Sequence, residues 1–159
     1  IAISRWHAEQ TGYIVSPVAA VVALVMMRWS LWAAVPAALG GAILTLLSGG
    51  TAEQLLIYSA GNLLAMLAML YLKLAGKERV RANAVLTLVF AALIQLLMQF
   101  GRAAVALLWG HPLAACWDFI TTDAMSILFT MLIIWIVRRV EGLFEDQKHY
   151  LLRTAQERA

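Results

Sequence analysis

Polar chemistry in this chain concentrates in the stretch QLLMQFGR, where Gln95, Gln99 and Arg102 lie four and three residues apart. That spacing puts two amides and a guanidinium on one face of a helix. The flanking sequences, AVLTLVFAALI and AAVALLWG, are almost wholly apolar. Such a stripe can hydrogen-bond a polar solute, pair with carboxylates on other helices, or meet another subunit. Its expected counterparts are Asn62 on an earlier helix and Asp118 and Asp123 on a later one. The candidate substrate-binding residues are therefore Asn62, Gln95, Gln99, Arg102, Asp118 and Asp123. A charge left unpaired in an apolar bundle costs roughly several kcal/mol, so Arg102 is expected to pair with Asp118, Asp123 or both. The bland alternative is that these groups form interhelical hydrogen bonds and an ion pair that only hold the bundle together.

The elements that position this stripe are helices in lipid. Of the 159 residues, 63% are hydrophobic and 13% are charged, against about 25% charged in a usual soluble domain. The apolar runs are continuous and do not alternate, which argues against a transmembrane β-barrel. The fold class expected is all-α: a polytopic membrane bundle of about five transmembrane helices, over residues 1–139, with a C-terminal amphipathic cytoplasmic helix over 140–159. Ser16-Pro17 opens a first span, 17–34. Pro36 opens a second, 36–48. The capping-box pattern Thr51-Ala52-Glu53-Gln54 opens a third, ending at Gly76. The fourth runs from 82 to 109, tilting, projecting or bending near Gly101. The last follows His111-Pro112, with its apolar centre at 124–137. The second span, about 20 Å long at 1.5 Å per residue, falls short of a roughly 30 Å hydrocarbon core. A short helix beside long ones leaves a notch, and the polar residues make an outward-facing pocket there.

Ten of the twelve Lys and Arg residues fall on one side of this arrangement, all but Arg5 and Arg102. The positive-inside rule then places the N-terminus outside and the C-terminus in the cytoplasm of a bacterial inner membrane. Trp6, Trp109 and Trp117 would line the outer interface, and Trp29, Trp32 and Trp135 the inner one. The chain opens on Ile1, and a preceding helix would change the count of spans but not the side given to each loop. In the tail, Val140, Leu143, Phe144, Gln147, Leu151 and Ala155 form an apolar stripe at helical spacing, suited to the membrane surface or to a partner.

Other chemistry is not expected. Cys116 is the only cysteine, so no internal disulfide is available. His7, His111 and His149 show no metal-ligand spacing, and no nucleophile–base set indicates an enzyme. Neither a cofactor, a metal nor a nucleic-acid partner is expected. The expected partners are membrane lipid, a small polar solute, and other membrane subunits reached through the tail and through the small-residue patterns Ala19-x-x-x-Ala23, Ala37-x-x-x-Gly41 and Ala38-x-x-x-Ala42.

The alanine spacing of SPVAAVVA, together with the outer polar residues, resembles the S components of energy-coupling factor vitamin transporters. The resemblance covers 17–140 in pattern. It implies a membrane subunit that captures a solute from outside and releases it inward within a larger complex. Those S components have six helices against the five read here, and no vitamin-binding motif is matched, so it carries over no binding residue. A non-catalytic accessory subunit and a membrane sensor with a cytoplasmic output helix are the alternatives. The topology is checked by cysteines at Ser48 and Lys77, which an impermeant reagent should label from opposite sides; labelling of both from one side contradicts it.

Overall fold

Residues 16–121, 125–140 and 142–157 are described by the computed structural model, and every regular element among them is helical. The chain contains four segments long and apolar enough to cross a membrane: Val18–Leu47, Ala52–Ala75, Ala84–Leu108 and Cys116–Val137. Helices of this length and composition point to a multi-pass membrane protein.

The first segment folds back on itself. It comprises α1 (Val18–Trp29), a 3₁₀ turn (Ser30–Ala33) and α2 (Ala34–Leu47). In one straight helix Val18 and Gly40 would lie about 33 Å apart. Instead, a Cβ placed on Gly40 would come within 2.7 Å of Val18 Cγ1. The reversal occurs at Ser30, whose φ of 52° is the only positive value at a non-glycine among the described residues. The first helix thus stops at Trp29 and not at 34. Pro36 does not mark the break. It sits in the first turn of α2, where the absent N–H is one that no helix satisfies internally.

The next segment consists of α3 (Ala52–Asn62), a 3₁₀ turn (Leu63–Leu67) and α4 (Ala68–Ala75). Its start bears out the capping box: Gln54 N–H donates to Thr51 Oγ1 (3.2 Å), and Thr51 N–H donates to Gln54 Oε1 (3.0 Å). The basic KERVR turn is a short helix, α5 (Lys77–Ala82). Asn83 Oδ1 then accepts from Val85 and Leu86 and caps α6 (Ala84–Leu108). This 25-residue helix is unbroken through Gly101. The chain continues through α7 (Leu113–Thr121) and α8 (Met125–Val137).

Beyond Arg139 the expected single amphipathic helix is interrupted. Gly142 takes φ +73°, and α9 begins only at Gln147, running to Glu157. The apolar stripe is split by that break. Phe144 turns inward and joins the main core, while Leu151 and Leu152 remain exposed.

Arg28, Lys77, Arg81 and Arg153 meet at one end of the bundle. Arg28 donates to the Gly142 carbonyl, and its Nε to Gln147 Oε1 at 2.6 Å. Lys77 Nζ bridges Ser30 Oγ (2.9 Å) and Asp146 Oδ2 (2.5 Å). The buried Glu145 receives Arg81 (3.0 Å) and Arg153 (3.2 Å). Asp146 also caps α9 through the Lys148 N–H. Burial by itself would raise its carboxyl, but the hydrogen bonds from Lys77 and Lys148 and the charges of Lys77 and His149 hold it below its ordinary value.

Candidate functional site

The polar site forms where α2, α3 and α6 touch, and glycines make that contact. A Cβ on Gly101 would lie 2.0 Å from the Gly61 carbonyl oxygen. A Cβ on Gly61 would lie 2.6 Å from Arg102 Cα, and one on Gly41 would lie 2.5 Å from the Tyr58 carbonyl oxygen. The three backbones therefore approach to distances that any side chain would prevent. The Ala37-x-x-x-Gly41 pattern supplies one side of this junction, and both of its residues are buried.

Asn62 fills the space the glycines leave. It is fully buried. Its Nδ2 donates to the Ala37 carbonyl (3.0 Å) on α2, and its Oδ1 accepts from Arg102 Nε (2.8 Å) on α6. One side chain on α3 thus ties both neighbours. Arg102 is 4% exposed, and its guanidinium carbon lies 4.8 Å from the Tyr58 ring centroid. A cation over an aromatic face gains most where water is excluded.

One turn from Arg102, Gln99 presents a different state. It is fully buried, yet neither Nε2 nor Oε1 has a hydrogen-bond partner among the described residues. Thr130 Oγ1 on α8 is also buried without one. Gln95 lies one further turn along α6 and is buried too. An amide with two donors and an acceptor, and no hydrogen bond to protein among the described residues, can take a polar ligand or water. It supplies no nucleophile.

The structure brings together Asn62, Gln95, Gln99 and Arg102 as four buried residues of the packed α3–α6 region. Asp118 stands apart: it is exposed and forms no ion pair among the described residues. The expected Arg102–Asp118 pair is therefore not made, because α7 turns that carboxylate to the surface. Asp123 lies outside the described residues. Near the ends of α3 and α7, Glu53 Oε1 meets His111 Nε2 at 2.5 Å, and Tyr58 meets Phe119 edge-on.

Tyr58 and the glycines Gly61 and Gly101 are the functional neighbours that sequence reasoning underrated. A signal was available. The dipeptides Gly61-Asn62 and Gly101-Arg102 each set a glycine beside an intramembrane polar residue, which is what a close polar crossing requires.

No protein-family model, no curated protein and no solved structure matches the chain. Nothing beyond its own residues bears on the resemblance to transporter S components.

Gly101→Ala tests the junction. Helix propensity alone favours alanine by about 1 kcal/mol. Overpacking against the Gly61 carbonyl should outweigh this and destabilise by about 1–3 kcal/mol net, measured as a lower thermal midpoint in detergent. An unchanged or raised midpoint would contradict the contact.

Proposed function

We propose that this chain is a solute-binding membrane component of a small-molecule transporter, crossing the membrane five times, with its N-terminus outside and its C-terminal helix in the cytoplasm. The reversal at Ser30 supports the fifth crossing, since it makes α1 and α2 two antiparallel arms. The gathering of Arg28, Lys77, Arg81 and Arg153 at one end supports the orientation, through the positive-inside rule.

The observation that carries the binding reading is Gln99. A buried amide without a partner is destabilising by roughly 1–3 kcal/mol. Bundle architecture alone would be better served by leucine there. A small polar solute that satisfies the amide gives the residue a reason to be polar. Capture would occur in the half of α6 nearer Leu108, and release inward would need movement within a larger assembly.

A second reading is favoured by Asn62, whose amide is used by protein groups on two helices. On that reading the polar cluster is structural and the chain is an accessory subunit of a membrane complex.

The two readings separate at Gln99→Leu. Under the solute reading, native mass spectrometry of wild-type protein taken directly from its membrane shows a bound small polar molecule. Gln99→Leu loses that molecule, while the ligand-free protein is as stable as wild type or about 1 kcal/mol more stable. A bound molecule retained by Gln99→Leu, or a wild-type protein that carries none, would favour the accessory subunit.

A further inference from the structure

A second site lies at the basic end, where a cavity of about 570 Å³ opens between the end of α4, the start of α5 and the start of α9. Its charged lining is Lys73, Lys77, Glu78, Arg79, Asp146 and Lys148, with His149 beside them. Part of this charge is already matched. Lys77 pairs with Asp146, and Glu78 contacts Arg81 and His149. The other three cations, Lys73, Arg79 and Lys148, make no ion pair among the described residues. The cavity therefore carries an excess of positive charge that the protein does not neutralise.

An apolar track leads to the same cavity. Leu67, Leu70 and Leu74 follow one another at spacings of three and four along α4 and the residue that opens it, so they share one side of that helix. Their exposure rises along it, from 50% to 56% and 87%. Leu74, the last of them, is also part of the cavity wall. A free phosphate would use the cations and ignore the leucines. A phospholipid would use both, laying an acyl chain along the leucines and its headgroup phosphate among Lys73, Arg79 and Lys148.

We infer that this cavity binds the headgroup of an anionic glycerophospholipid, with an acyl chain on the Leu67–Leu74 face. Basic pockets at the ends of membrane helices recognise such headgroups through charge, each nearby Lys or Arg adding about fivefold to the affinity. The site binds lipid whether or not the polar junction binds a solute. Because the cavity joins α4 to the start of α9, the lipid also helps hold the C-terminal helix against the bundle.

Native mass spectrometry of the full chain in detergent, titrated with phosphatidylglycerol or phosphatidylcholine, provides the test. Phosphatidylglycerol should bind the more tightly. Combined Lys73→Gln, Arg79→Gln and Lys148→Gln should weaken it on the order of a hundredfold and leave phosphatidylcholine unaffected. These side chains make no ion pairs, so the fold does not depend on them. Combined Leu70→Ser and Leu74→Ser should weaken phosphatidylglycerol without changing any charge. Equal binding of the two lipids, or full retention of phosphatidylglycerol by the triple variant, would overturn the inference. Displacement of the lipid by millimolar inorganic phosphate, with no effect of the leucine substitutions, would overturn it in favour of a free-phosphate site.

Discussion

The contact between Gly61 and Gly101 is the constraint on which the rest of the polar site depends. It lets α3 and α6 approach until a carbonyl of one faces the bare Cα of the other. At ordinary helix separations of about 8–10 Å, Asn62 could not reach both the Ala37 carbonyl and Arg102 Nε. Gly41 plays the same part on the α2 side. The three glycines contribute no contact area of their own. Their effect is to admit one buried asparagine whose amide ties the Ala37 carbonyl to Arg102. In lipid there is no hydrophobic force between helices, so close packing and interhelical hydrogen bonds carry the association.

Against that satisfied junction, Gln99 stands out by contrast. Asn62 and Gln99 are both amides, both fully buried, on helices that touch. One has its groups answered by protein and the other does not. Natural proteins keep few buried unsatisfied polar groups, and those that persist call for a specific reason. A ligand, as proposed above, would supply such a reason for Gln99. The two halves of the molecule then divide the work. The middle of α6 presents an unanswered amide, and the basic end binds the C-terminal helix through Lys77, Arg81 and Glu145, with unmatched cations left for lipid.

Much of the architecture was legible in the sequence because it rests on local chemistry. Thr51 and Gln54 announced their capping box, and the apolar runs announced helices long enough to cross a membrane. The clustering of Arg28, Lys77 and Arg81 followed from counting passes. The stripe of Gln95, Gln99 and Arg102 was found by spacing and is buried as expected. What failed was non-local or depended on single backbone angles. The turn at Ser30 requires a left-handed serine, which no propensity favours. The tail stripe was read through Gly142, whose positive φ ends one helical period before the next begins. Asp118 looked like a partner for Arg102 because depth along a helix can be counted, but rotation about its axis was set by packing. The Gly61–Gly101 approach involves residues 40 positions apart, and a glycine in an alanine-rich helix gives little sign of its neighbour.

The most direct test of this account is a double-mutant cycle between Gly101→Ala and Asn62→Leu, read as unfolding free energy in detergent. If the glycine contact is what seats Asn62, the alanine displaces α6 and the hydrogen bond to Arg102 is already lost. Asn62→Leu should then cost much less in the Gly101→Ala background than in wild type, a coupling of about 1–3 kcal/mol. Additive effects, agreeing within about 0.5 kcal/mol, would show that Asn62 is held independently of the glycine contact and would contradict the account.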